Sequence, residues 1–311
     1  MKVPPPQYPK VEGAACQRRF KTRGLESVRP QLFGGEFCLF MKNLLDRLLS
    51  KVLGQPFSRM YSDAYIFGLL PKHRQQIWLI TAPKSGSTWL SVILKNYLGW
   101  DARTITPGFD RREQEPSLRV VAQASRSDKI LWTHTHTRAS ESTNQLIRQA
   151  GIYPIIQTRV LHDSLISYCE HCSSESPIAP MAFMDQRHWE ELSDSSRMGF
   201  AVDLVAPWYF NFYAGWFSNP LVQEKIAYVC AYENLVSNPV SEVVRICEHF
   251  KLPVNPPAIE VAVERATRAP TRLNKGVVGR GKVLSDEQRA TLARMRSYYS
   301  HIDMSAIGFP D

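Results

Sequence analysis

The residues with the clearest chemical potential form the run Pro-Lys-Ser-Gly-Ser-Thr-Trp at positions 83–89. This run contains one cation and one glycine, and its hydroxyl residues are Ser85, Ser87 and Thr88. Hydroxyl and ammonium groups donate hydrogen bonds, and a glycine lets the backbone N–H groups approach a ligand closely. The run therefore predicts a binding site for an anion. Lys84 would supply the full charge and Gly86 the tight backbone.

The elements around this run predict where the anion would lie. The apolar segment QIWLITA before it is typical of a buried strand, and STWLSVILKNYL after it is typical of a helix. A helix N-terminus presents unpaired N–H groups, and ligands bind at the carboxyl ends of parallel strands. The order of residues excludes the common ATP loop, in which the lysine follows the second glycine. Here Lys84 precedes Gly86.

Further along the chain, strand and helix patterns alternate. DKILWTH, YPIIQTR and EKIAYVCAYENL have strand character, and they are separated by the helical segments TNQLIRQAG, HDSLISYCEH and 203–217, with NPVSEVVRICEHFKLP as the last helix. Strands that are apolar on both faces and alternate with helices indicate a parallel sheet. The sequence predicts an α/β fold, with a mostly parallel central sheet, helices on both faces and a P-loop-like nucleotide-binding architecture.

The N-terminal part differs from the rest, so we predict an arm plus an amphipathic helix within residues 1–60 and a single domain over residues 61–311. Apolar pairs alternate with polar pairs between residues 38 and 54, which is typical of an amphipathic helix. Its apolar face is expected to pack on the main domain. The alternatives are a peripheral membrane contact or a partner subunit, including a second copy in a homodimer.

Composition limits the class of partner and the compartment. The formal net charge of +9 favours anionic ligands, but the chain has no polybasic tail, so nucleic acid is not expected. Six widely spread cysteines and the absence of an apolar N-terminal segment predict reduced thiols in a cytoplasmic protein.

The run at 83–89 resembles the P-K-S-G-T-T-W loop of the sulfotransferases that use 3′-phosphoadenosine-5′-phosphosulfate (PAPS). Ser87 replaces a threonine and keeps the hydroxyl. The resemblance implies that residues 84–89 bind the 5′-phosphosulfate. It also implies that Lys84 interacts with the bridging oxygen and the leaving phosphate, and that Trp89 stacks on the adenine.

A second segment, from Arg159 to Tyr168, resembles the family pattern R-x-x-K-D-x-x-x-S-Y. In that family the arginine and the serine bind the 3′-phosphate, which implies this role for Arg159 and Ser167. His162 stands where the family usually has lysine. Without the resemblance, Arg159 would be interpreted as a surface ion-pair partner and Ser167 as a buried helix serine.

Two further matches are less specific. The segment NKGVVGRGKVLSDEQ resembles the family pattern R-K-G-x-x-G-x-x-K, which implies that Lys275 and Gly276 close over the 3′-phosphate. Asn274 replaces the leading arginine, and a flexible basic loop is the alternative interpretation. Tyr209 aligns with a tyrosine that contacts the adenine, although aromatic residues at helical spacing are more typical of a core.

A general base is predicted in the segment Trp-Thr-His-Thr-His at 132–136. Family members often have Lys-Thr-His at this position, so His134 matches the histidine and Trp132 replaces the lysine. His136 is the alternative base, and either imidazole is suited to accept a proton near neutral pH. The competing interpretation is hydrogen bonding within the loop. No cysteine or carboxylate cluster accompanies the pair, so no metal is predicted.

These matches together predict a sulfotransferase that moves a sulfuryl group from PAPS to a hydroxyl or amine and releases the product 3′,5′-ADP (PAP). The acceptor is expected to be a small molecule, a glycan or a lipid. Two alternatives are kept. One is a P-loop nucleotide kinase-like phosphotransferase that needs Mg²⁺. The other is a non-catalytic nucleotide-binding module, which Trp132 and Asn274 favour.

Overall fold

A computed structural model of the protein describes residues 76–106, 115–118, 120–121, 131–175, 181–269 and 279–310. Three predictions lie outside the described residues: the arm and helix within 1–60, the division of the chain at residue 60, and the site residues Lys275 and Gly276.

The described core is a five-stranded sheet. Its strands are β1 (Gln76–Thr81), β2 (Asp101–Ala102), β3 (Leu131–Thr135), β4 (Ile152–Thr158) and β5 (Tyr228–Ala231), in the spatial order β2-β3-β1-β4-β5. All four described strand pairs are parallel, and all six residues of the central strand β1 are buried. The carboxyl ends of the strands therefore meet along one edge of the sheet. This architecture confirms the predicted α/β fold with a parallel sheet.

Helices connect and cover the strands. They are α1 (Ser87–Leu98), α2 (Glu141–Ala150), α3 (Leu161–Ser174), α4 (Gln186–Glu191), α5 (Asp194–Phe200), α6 (Ala206–Phe217), α7 (Pro220–Gln223), α8 (Tyr232–Ser237), α9 (Pro239–His249), α10 (Pro256–Arg268) and α11 (Asp286–Ser297). A π-helical turn at Ala201–Val205 precedes α6, and 3₁₀ turns lie at Arg280–Val283 and Ser305–Ile307. None of the helices in the described part of the chain is long and apolar enough to cross a membrane.

Two apolar cores form, one on each face of the sheet. Trp78 and Ile80 of β1 join the core that contains the aromatic side of α6, whereas Ile77 and Leu79 join the core under α1, α9 and α10. Alternate side chains of a strand point to opposite faces, so β1 contributes to both cores. The prediction of helices on both faces is thereby confirmed.

One element differs from its predicted extent. The segment 224–235 was expected to be a strand, but β5 ends at Ala231 and helix α8 begins at Tyr232. The backbone N–H of Val160 donates to the Glu233 carboxylate at 3.0 Å, and the ring of Tyr232 is buried. These long-range contacts favour a helical turn over the strand propensity of the local sequence.

Candidate functional site

The loop between β1 and α1 has a backbone suited to an anion. Lys84 and Gly86 both adopt left-handed conformations, with φ of 64° and 81°. Helix α1 has no side-chain cap at its N-terminus. Within the described residues, the N–H groups of Gly86, Ser87 and Thr88 have no protein acceptor. Unpaired N–H groups at a helix N-terminus carry a partial positive charge, so this loop can receive an anionic oxygen.

Three successive carbonyl groups of the same loop are bound by buried side chains. Ser85 Oγ donates to the oxygen of Ala82 at 2.8 Å, the Tyr209 hydroxyl donates to Pro83 at 2.6 Å, and a guanidinium nitrogen of Arg159 donates to Lys84 at 3.0 Å. The donors Ser85 and Tyr209 are fully buried, and Arg159 is 6% exposed. The protein thus satisfies the loop carbonyls, which would repel an anion, and leaves the N–H groups open.

The ring of Tyr232 packs against this loop at Gly86. No sequence motif had indicated this role for Tyr232. A Cβ atom added to Gly86 would lie 2.4 Å from two carbons of the Tyr232 ring. The guanidinium carbon of Arg159 lies 4.6 Å from the centroid of the same ring. Burial raises the pKa of the Tyr232 hydroxyl, and the nearby Arg159 partly opposes this shift. The ring therefore links the 5′ end of the predicted site, at Gly86, to the 3′ end, at Arg159.

The predicted hydroxyl donors fall into two groups. The hydroxyl of Ser85 is also 3.1 Å from that of Tyr213, so it is used inside the protein. For the hydroxyls of Ser87, Thr88 and Ser167 there is no hydrogen-bond partner among the residues that the structure describes. Ser87 and Ser167 are nevertheless only 8% and 6% exposed. Three of the four hydroxyls thus remain for a ligand.

The two predicted bases lie close together around Thr81, at the carboxyl end of β1. Nε2 of His134 is 3.1 Å from the Thr81 hydroxyl, and Nδ1 of His136 is 2.7 Å from the Thr81 carbonyl oxygen. The two ring centroids are 5.3 Å apart. A carbonyl oxygen can only accept, so Nδ1 of a neutral His136 carries the proton and Nε2 carries the lone pair. Within the described ranges, no group of three or more His, Cys, Asp or Glu residues could hold a metal ion.

The two aromatic residues assigned to the adenine are both buried. Trp89 is 7% exposed and belongs to the core that contains Leu79. Tyr209 is fully buried and binds the loop carbonyl of Pro83. Their contacts with an adenine stay predictions, whereas the role of Tyr209 in holding the loop is a feature that the sequence did not indicate.

Gly279 and Arg280, the first described residues of the C-terminal segment NKGVVGRGKVLSDEQ, contact helix α3. The backbone N–H of Gly279 donates to a carboxylate oxygen of Asp163 at 2.8 Å. Arg280 pairs with Glu170 through two nitrogens, one of them at 2.8 Å. Both acids lie on α3, the helix that carries Ser167. The structure therefore brings the end of this segment to the helix of the predicted 3′-phosphate site.

Comparison with known proteins identifies relatives of this arrangement. A sequence profile of the family described as "Sulfotransferase domain" matches residues 74–296. The structure is similar to that of mouse sulfotransferase SULT7A1 complexed with PAP, with a TM-score of 0.56 and 15% identity over 78% of this chain and 91% of that chain. It is also similar to retinol dehydratase in complex with androsterone and PAP, with a TM-score of 0.47 and 11% identity over 77% and 84% of the two chains. None of the curated protein sequences matches this chain significantly.

Proposed function

The chain belongs to the sulfotransferase domain family, and we propose that it transfers a sulfuryl group from PAPS to a hydroxyl or amine of an acceptor, with PAP as the product. The observation that carries this proposal is the loop after β1, where side chains bind the carbonyls of residues 82–84. The N–H groups of residues 86–88 have no acceptor among the residues that the structure describes. The mouse protein of the same fold is complexed with PAP, which is the product that this donor would leave.

The two ends of the donor are assigned to different groups. Lys84, the open N–H groups, Ser87 and Thr88 would hold the 5′-phosphosulfate. Arg159 and Ser167 would hold the 3′-phosphate, and we keep Lys275 and Gly276 as further ligands of it. Arg159 has five N–H donors and gives one nitrogen to the Lys84 carbonyl, so its planar guanidinium can serve both the loop and a phosphate.

The transfer step requires one bond to form and one to break. The acceptor oxygen or nitrogen forms a bond to sulfur while the bond between sulfur and the bridging oxygen breaks. The electron pair of that bond goes to the phosphate of PAP, where the ammonium of Lys84 would stabilise the growing charge. The acceptor proton goes to a histidine.

We propose His136 as that histidine, with His134 as the alternative. Nδ1 of His136 donates to the Thr81 carbonyl, which fixes the tautomer of the neutral ring and puts its lone pair on Nε2. His136 also lies one residue past the end of β3, at the edge where parallel strands bind ligands. Nε2 of His134 lies 3.1 Å from the Thr81 hydroxyl, which can donate or accept, so this contact does not fix the tautomer of His134 in the same way.

Transfer of label from ³⁵S-PAPS to pooled acceptors tests this function. We expect transfer by the wild type, none above background by Lys84→Ala, and a loss of about a hundredfold or more in His136→Ala. His134→Ala tests the alternative base and should lose less than His136→Ala; a larger loss in His134→Ala would assign the base to His134. Unchanged transfer by a folded Lys84→Ala variant would refute the mechanism. Tight PAP binding without turnover on any acceptor would favour the non-catalytic alternative.

The proposal also covers the acceptor, the compartment and the contacts of the N-terminal segment. We propose a small molecule, a glycan or a lipid as the source of the acceptor hydroxyl, in the cytoplasm. The amphipathic segment at 38–54 would then either pack on the domain, contact a membrane surface or bind a second copy of the chain.

A further inference from the structure

Helix α3 presents two acidic side chains on either side of Ser167. Asp163, Ser167 and Glu170 are spaced four and three residues apart, so they lie along one side of the helix. Carboxylates beside a phosphate site are unexpected, because a phosphate one helical turn from Glu170 would be repelled. Both acids are, however, bound by the C-terminal segment.

Each acid makes a contact that fixes this segment. A carboxylate oxygen of Asp163, which is 1% exposed, accepts the N–H of Gly279. This contact uses a left-handed residue, since Gly279 has a φ of 84°. The side chains of Glu170 and Arg280 are 30% and 17% exposed and form a two-point ion pair. A partly buried pair of this geometry is stronger and more directional than a surface pair.

We propose that Asp163 and Glu170 are positioning residues that hold residues 279–280 beside Ser167 and thereby give the site its selectivity for a donor with a 3′-phosphate. This inference rests on the proposed function. The acids do not touch the phosphate. Arg280 neutralises Glu170, so the carboxylate anchors the segment without repelling the ligand. The hydroxyl of Ser167 lies between the two acids on α3 and has no hydrogen-bond partner within the described residues.

The pair of PAP and 5′-AMP provides the test, since the two nucleotides differ by the 3′-phosphate. Calorimetric titration would measure both affinities for the full-length wild type, Glu170→Ala, Arg280→Ala and the double variant. Alanine is favourable within α3, so Glu170→Ala should fold. We expect each single variant to bind PAP about tenfold more weakly, with the affinity for 5′-AMP unchanged within twofold. The double variant should lose no more than either single variant, because both residues act through one pair.

Arg148→Ala is the control for the loss of one positive charge, because Arg148 forms an exposed ion pair with Glu224 and should keep the wild-type selectivity. Asp163→Asn keeps an acceptor for the N–H of Gly279 and should retain more selectivity than Asp163→Ala.

The possible outcomes separate the inference from the proposed function. If Arg280 bound the phosphate directly, Glu170→Ala would remove a repulsive charge and tighten PAP binding. That result would overturn the inference, as would an unchanged ratio of PAP to 5′-AMP affinity in both single variants. Failure of the wild type itself to bind PAP would instead refute the proposed function.

Discussion

Gly86 is the position at which a single added methyl group should do the most damage to the loop. The residue has a φ of 81°, and its missing Cβ would lie 2.4 Å from the Tyr232 ring. That ring is 3% exposed and lies under the guanidinium of Arg159, so it cannot move aside freely. Gly86→Ala should therefore displace either the loop or the ring.

The loss of stability expected in Gly86→Ala has two components. A left-handed conformation costs a non-glycine residue about 1–2 kcal/mol. Overpacking of a well-packed site costs about 1–3 kcal/mol more. Together they predict a decrease of about 2–5 kcal/mol in the free energy of unfolding, which a domain of ordinary stability would survive. Because the ring also contacts Arg159, affinity for PAP should fall as well.

Urea denaturation and PAP titration of Gly86→Ala and of the following variants separate these components. Gly99 has a φ of 66°, and no atom of the described residues lies within 4 Å of its missing Cβ, so Gly99→Ala should show the backbone cost alone. Gly199 has no positive φ, and its missing Cβ has no close neighbour in the described part of the chain, so Gly199→Ala should be neutral or slightly stabilising. In a Tyr232→Ala background, the cost of Gly86→Ala should fall to that of Gly99→Ala.

If Gly86→Ala were as stable as Gly99→Ala and bound PAP like the wild type, the ring of Tyr232 would not restrain the loop. A cost of Gly86→Ala that persisted unchanged in the Tyr232→Ala background would lead to the same conclusion.

Two further predictions concern other parts of the site. Tyr209→Phe removes the donor to the Pro83 carbonyl at 2.6 Å, so urea denaturation should show a loss of about 1–3 kcal/mol and PAP titration a weaker affinity, whereas wild-type values for both would argue against this contact. Burial and the nearby Arg289 lower the pKa of His162, so the unfolded chain binds a proton more readily and stability should fall as the pH drops below about 6.5. The melting temperature of His162→Gln should depend less on pH in that range, and an equal dependence would contradict the shift.

Features set by local pattern were predictable from the sequence. The apolar periodicity after residue 86 predicted a helix over residues 87–98, and α1 has those bounds, since Gly99 in a left-handed conformation ends it. The apolar character of both faces of β4 likewise predicted a buried parallel strand. Local periodicity was sufficient for these elements because their own side chains form the cores.

Contacts between distant residues were not predictable in the same way. The change from strand to helix at Tyr232 depends on packing against Gly86 and Arg159, which are far away in the chain. The local pattern of residues 224–235 therefore gave the wrong extent for β5.

In the candidate site, too, contacts between distant residues could not be predicted from the sequence. The sequence indicated Ser85 and Tyr209 as ligands, which stays a prediction, but it did not indicate that their hydroxyls also bind loop carbonyls. The pairing of Glu170 with Arg280, 110 residues later, had no sequence signal at all. A motif identifies which residues gather at a site, whereas the division between ligands and supports depends on tertiary contacts.

The most direct test of the central claim is nucleotide binding without an acceptor. Calorimetric titration of the full-length protein should show binding of PAP in the absence of Mg²⁺, with a weaker affinity in Lys84→Ala. ADP with Mg²⁺ should bind more weakly than PAP, because the second phosphate site at Arg159 and Ser167 would be left empty. Binding of ADP with Mg²⁺ but not of PAP would contradict the account and favour a nucleotide kinase-like phosphotransferase.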